Sequence, residues 1–222
     1  LNANSTGGAN CAIGYQALDA NSTGGNNNSF GAYSLSASTV SDNNAFGSYA
    51  LHSTTTGTFN AAFGHRVMLA NTTGDGNTAV GAYALEDTTT GENNVAIGYQ
   101  AMLDSTTSSY NTAVGRYALS ALTTGSEDVA IGNWALKACT TGQRSVAVGS
   151  YAMDAVTTSN WCVAIGYEAL TDLTTGNYNI AVGYQALANV STSADNVAVG
   201  LRALKDNTGA DNTALGNYAL EA

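Results

Sequence analysis

Apolar positions in this chain recur on a beat of 17 residues, not on the short periods of a single strand or helix. The anchor is a glycine inside the pattern Asn-x-Ala-(Ile/Val/Phe)-Gly-x-x-Ala-(Leu/Met). It falls at Gly14, Gly31, Gly47, Gly64, Gly81, Gly98, Gly115, Gly132, Gly149, Gly166, Gly183, Gly200 and Gly216. The interval shortens to 16 only from Gly31 to Gly47 and from Gly200 to Gly216. A large apolar residue precedes each glycine, from Ile13 and Phe30 to Val199 and Leu215. One place earlier stands a small residue, almost always alanine, and four places after the glycine stands Leu or Met, from Leu18 to Leu220.

Neighbours in a strand face opposite ways, so each Ala-(Ile/Val/Phe) step predicts a short strand with one bulky and one small face. Simple alternation would put the Leu/Met column on the alanine side. A corner at the glycine, which tolerates the necessary dihedrals, is expected to turn that column inward instead. A second corner is predicted at Thr-Thr-Gly, as at Thr73-Gly74, Thr90-Gly91, Thr124-Gly125, Thr141-Gly142 and Thr175-Gly176. Each repeat therefore reads as two short strands and two turns. The whole chain, residues 1–222, reads as one continuous all-β array, a parallel β-roll or β-solenoid of thirteen coils. Paired-helix repeats have periods above about 30 residues, and the turn signals leave no window of about 12 residues for a stable helix.

In-register stacking adds about 4.8 Å per coil and aligns like residues into ladders. Asn10, Asn27, Asn43, Asn60, Asn77, Asn94, Asn111, Asn179, Asn196 and Asn212 predict an amide ladder, interrupted by Asp128, Ser145 and Cys162. Each coil offers only about three sizeable side chains to bury, little against the ordering cost of its residues. Further burial is expected from another copy of the chain. The alanine face, flanked by a column of tyrosines just after the glycines, is the surface expected to supply it.

Composition removes several functions. Charged residues are only 10% of the chain, and sixteen acids against six scattered bases give a net charge of −10, which disfavours nucleic acid as a partner. No segment has the apolar length to span a bilayer, so membrane insertion is not expected. Cys11, Cys139 and Cys162 lack metal-ligand spacing and read as small apolar substitutions. His52 and His65 occupy different points of the repeat, so no catalytic residue, cofactor or metal site is expected. Asp19, Glu86, Asp87, Asp104, Asp154 and Asp172 follow the Leu/Met column and read as a solvated acidic edge.

The units Asn-Val-Ala-Ile-Gly-Tyr-Gln-Ala-Met at 94–102 and Asn-Ile-Ala-Val-Gly-Tyr-Gln-Ala-Leu at 179–187, each followed by a Thr-rich turn, resemble repeats of phage tail-fibre proteins. More distantly they resemble the Val-Ala-Ile-Gly coils of trimeric autotransporter adhesin heads, whose period is commonly shorter. The resemblance implies a left-handed roll, a homotrimer, and an extracellular or virion location. The expected role is a structural fibre shaft that contributes to host-surface attachment through a glycan or protein. Alternatives are a cell-surface adhesin or a filament polymerising end to end; the array begins and ends within the repeat without caps, as a segment of a longer fibre would. An ice-binding solenoid fits less well, because the threonines form adjacent pairs rather than Thr-x-Thr ranks. A ligand surface is expected where the columns break: at His65 and Arg66, where His-Arg-Val-Met replaces the usual turn, and at Trp161.

Overall fold

The computed structural model describes residues 3–221. Its secondary structure is all β. Among the described residues, thirteen strands of three residues each, from Cys11–Ile13 to Thr213–Leu215, stand one before each repeat glycine. The chain forms two compact units, Leu1–Tyr110 and Asn111–Ala222. Each is a parallel β-solenoid in which equivalent residues of successive coils pair in register, as Ala79 with Ala96 in the first and Ala130 with Ala147 in the second. The two shortened intervals leave this register intact, with Asn28 still opposite Asn44 and Ala198 opposite Ala214. The missing residue is lost from the Thr-rich turn, where Val40 takes the place that Gly24 holds one coil earlier.

The inward and outward faces of the strand are the reverse of the expected ones. The alanine column is the core: Ala45, Ala62, Ala79, Ala96, Ala130 and Ala164 are fully buried. The branched column before the glycine faces out, with Ile97 and Ile131 each 40% exposed. A physical reason lies across the coil, where the buried Leu/Met column packs on the same interior. One coil is too thin to hold two large columns, so the strand contributes the small one.

No second strand follows the glycine. The segment is a run of tight turns, such as the one closed by Ala118 N–H donating to the Gly115 carbonyl. Tyr117 (φ 58°) and Leu119 (φ 50°) are left-handed there. That conformation explains why Ala118 and Leu119, adjacent in sequence, are both fully buried, which strand alternation forbids. From there inward positions recur every third residue, as at Leu85, Thr88, Gly91 and Asn94, all buried. A left-handed leucine costs about 1–2 kcal/mol and its burial returns roughly 1.5–3 kcal/mol, a near balance. The Leu119 N–H bond to Ala135 O (3.0 Å) ties that turn to the next coil.

The glycine corner is a point of close approach between coils. Gly132 has φ +138°, and a Cβ placed on it would lie 2.4 Å from the Gly149 carbonyl oxygen of the next coil. Gly132→Ala is therefore expected to lower stability by about 2 kcal/mol or more, read from the denaturant midpoint. Gly8→Ala, where a Cβ meets nothing within 4 Å, should leave the midpoint in place.

Seven residues after the glycine lies an interior column that sequence reasoning did not single out. In the first unit it is polar, with Asn21, Ser38, Thr54, Asn71, Thr88 and Ser105, whereas in the second it is Leu122, Cys139, Val156, Leu173 and Val190. Asn21 and Asn71 bond to the glycine of their own turn, and Ser105 pairs with Ser108. The hydroxyls of Ser38, Thr54 and Thr88 have no hydrogen-bond partner among the described residues. Because a buried unpaired hydroxyl costs about 1–3 kcal/mol, Thr54→Val and Thr88→Val should each stabilise the first unit by about 1 kcal/mol in the same measurement.

Candidate functional site

The asparagine ladder shows how the repeat treats its polar interior. Asn43, Asn60, Asn77 and Asn94 each donate a backbone N–H to Oδ1 of the asparagine one coil earlier, at 3.0 Å. Each Nδ2 donates to a turn carbonyl 14 residues ahead, that of Gly57, Gly74, Gly91 and Ser108 respectively, at 2.8 Å. Asp128, Ser145 and Cys162, expected to interrupt the ladder, continue its first half. Asp128 N–H donates to Asn111 Oδ1 (2.9 Å), Ser145 N–H to Asp128 Oδ1 (2.9 Å) and Cys162 N–H to Ser145 Oγ (3.3 Å). Cys162 Sγ also reaches the Gly176 carbonyl at 3.4 Å, keeping the second half too. Burial pushes the Cys139 thiol up to about 12 and the Cys162 thiol up to about 11, so neither is a nucleophilic thiolate at neutral pH.

Asp128 is the weak rung. It is buried, and its Oδ2, which stands where asparagine carries its donating NH2, has no hydrogen-bond partner among the described residues. Burial, opposed by the Ser145 N–H and reinforced by the charge of Glu127, lifts its carboxyl to about 7.

The first break in the outward columns lies after Gly64. Val67 replaces the usual alanine in the core and is fully buried beside Met68. Outside, His65 and Arg66 join Tyr49, His52, Ser53 and Leu69 around a cleft of about 440 Å³. The two histidines, placed at separate points of the repeat by sequence, are thus brought to one site. The reason is topological: the residues just after one glycine lie beside those five and six places after the preceding one. Arg66 is left-handed (φ 55°) and its backbone N–H donates to Ser48 O at 3.0 Å. Its Nη2 lies 2.7 Å from Glu86 Oε1, and its guanidinium carbon is 5.9 Å from the Tyr83 ring centroid. Glu86 is therefore an ion-pair partner rather than part of a free acidic edge. The aromatic column frames the histidines: Tyr49 lies 5.7 Å from His52 and 6.4 Å from His65, and Tyr83 lies edge-on to His65 at 5.5 Å.

The second break, at Trp161, forms a strip rather than a cleft. Trp161 stacks on Tyr178 with ring centroids 5.3 Å apart and planes 10° from parallel. Arg144 stands 5.7 Å from the Trp161 ring and is itself held by Glu127 at 3.0 Å. Charge, cation–π contact and stacking thus follow one another on a single outward column. Elsewhere on the acidic edge, burial and then the neighbouring Asp87 raise the Asp104 carboxyl, while Asp154 accepts a 2.7 Å bond from Thr171 Oγ1.

Among the described residues no group of three His, Cys, Asp or Glu side chains could hold a metal ion, and no helix is long and apolar enough to cross a membrane. Comparison of the chain with protein-family models, with curated proteins and with solved structures finds no match.

The raised Asp128 carboxyl sets a pH dependence. Its folded value of about 7 lies above the ordinary 3.8, so its protonated form favours the folded state; stability is highest below about 3.8, falls as pH rises to 7, and is level beyond. Asp128→Asn restores the missing donor. Thermal melts from pH 4 to pH 8 are expected to show the variant more stable at pH 8, by a few kcal/mol at most, with this part of the pH dependence removed.

Proposed function

We propose that this chain is a non-enzymatic shaft segment of an extracellular fibre, with a phage tail fibre as the source that its repeat resemblance favours. The observation that carries the reading is the division of labour within the coil. The inward alanines, leucines and asparagines and the corner glycine repeat almost without change, and within each unit successive coils are joined by backbone hydrogen bonds in one register. Such a design yields regular length and stiffness, and it needs no active site. Left-handed winding follows from the same resemblance.

The fibre reading includes self-association, at a surface other than the one first expected. With the alanines in the core, the outward columns of Phe63, Val80 and Ile97 in the first unit, and Ile131 and Ile165 in the second, are the apolar surface left to cover. Three chains packed on these columns are the arrangement proposed here. An attachment role is the second reading, supported by the cleft at His65 and Arg66 and the strip at Trp161. Ice binding gains no support: Oγ1 of Thr72, Thr89, Thr123 and Thr140 donates to the next coil's carbonyl at 2.9–3.2 Å, which leaves a single exposed threonine rank.

Light scattering and electron microscopy of the whole chain test this reading. A mass of three chains and elongated particles are expected, and Ile131→Glu should reduce the mass while leaving the circular dichroism spectrum unchanged. A monomeric parent would remove the self-association, and compact round particles would remove the shaft.

A further inference from the structure

The cleft after Gly64 is where imidazole and guanidinium donors gather in a chain that has only two His and six Lys and Arg residues. Both histidines of the protein and one of its six Lys and Arg residues line it. Imidazole and guanidinium N–H groups suit a carboxylate, and the planar fork of arginine suits it especially well. Glu86 holds Arg66 through Nη2, which fixes the guanidinium. The Arg66 Nε is buried and has no partner among the described residues, so the group's donors are not all engaged. His52 Nδ1 lies 3.4 Å from Ser53 Oγ, which leaves Nε2 as the ring's other polar atom.

Two further features narrow the ligand. Glu86 offsets the charge of Arg66, so the site offers donors without a large positive field, a better match for a singly charged carboxylate than for phosphate. Tyr49, stacked on Tyr33 on one side with centroids 4.9 Å apart, lines the cleft with the rest of its ring and Ser53 with a hydroxyl, the pairing that a sugar ring with apolar C–H and polar O–H edges requires. A volume of about 440 Å³ admits one such ring.

We infer that the cleft formed by Tyr49, His52, Ser53, His65 and Arg66 binds a carboxylate-bearing monosaccharide, the carboxylate lying against His65 and Arg66 and the ring against Tyr49. The inference goes beyond the shaft reading and does not depend on it: self-association and particle shape are measured without ligand, so either can fail while the other stands.

The repeat itself supplies the variants. Neighbouring coils carry alanine at the place of His65 (Ala82), tyrosine at the place of Arg66 (Tyr49 and Tyr83) and serine at the place of His52 (Ser36). His65→Ala, Arg66→Tyr and His52→Ser therefore convert the break into an ordinary coil. The probes are methyl glucuronoside, its neutral counterpart methyl glucoside, acetate and inorganic phosphate, titrated into the whole chain with NMR detection of the histidine ring signals. Methyl glucuronoside is expected to shift both histidines and to bind at least roughly tenfold more tightly than the other three. His65→Ala and Arg66→Tyr should each weaken it roughly tenfold at an unchanged melting temperature. If a variant melts early, the histidine shifts of the parent decide alone. The inference is overturned if millimolar glucuronoside leaves both histidines unshifted, if glucoside or phosphate binds equally well, or if folded variants keep the parent's affinity. Acetate matching the glucuronoside would overturn the sugar assignment.

Discussion

The structure depends on how closely one coil's backbone lies on the next at the repeat glycine. A Cβ on Gly115, Gly149, Gly166 or Gly183 would come within 2.3 Å of the following glycine's carbonyl oxygen, well inside any permitted contact. The same residues hold φ near +140°, so the position is glycine for two independent reasons. This contact fixes the register. Once the glycines are superposed, the strands before them must pair residue for residue, and the turns after them must bond coil to coil. A one-residue deletion is then tolerated only where the backbone is least constrained, and both deletions fall in the Thr-rich turn.

Close stacking also sustains conformations that an isolated coil would abandon. Between Gly115 and Gly132 three residues other than glycine are left-handed, Tyr117, Leu119 and Glu127. At about 1–2 kcal/mol each, their summed strain of about 3–6 kcal/mol exceeds the roughly 1.5–3 kcal/mol that one buried leucine returns. The balance turns favourable only when neighbouring coils add hydrogen bonds, both from the backbone and from the asparagine rungs. Stability is therefore a property of the stack, as in other arrays whose repeats contact only their neighbours.

Much of this was legible in the sequence, and what was not has a common cause. The period, the parallel class, the corner glycine and the asparagine ladder follow from columns that hardly vary. The faces are not legible because the bulkier column reads as the inward one, whereas the corner at the glycine leaves the Leu/Met column on the alanine side. A three-residue strand followed by left-handed turns gives inward positions at every third residue, and no residue type announces this: tyrosine and leucine are poor indicators of positive φ. The interior column from Asn21 to Val190 was missed for the same reason, since its mix of Asn, Thr, Ser, Leu and Val looks like a variable surface. His52 and His65 look separate in the sequence because distance along one coil is not distance in space. In a stack, residues 13 apart are near neighbours when one lies just after a glycine and the other lies late in the preceding turn.

The same geometry explains where a binding site could arise at all. Inward positions are constrained from both sides of the coil, so a change there must preserve volume or hydrogen bonding, as Cys162 and Ser145 do in the asparagine column. Outward positions are constrained only by the neighbours above and below them in their column. A cluster of unusual outward residues therefore costs the fold little, provided that the core adjusts beneath it, and Val67 is such an adjustment under His65 and Arg66. Two columns that are distant in sequence but adjacent in space then meet, which is how one altered coil and its neighbour form a cleft. The regularity that the proposed shaft role calls on is also what allows a local site to be added without disturbing the stack.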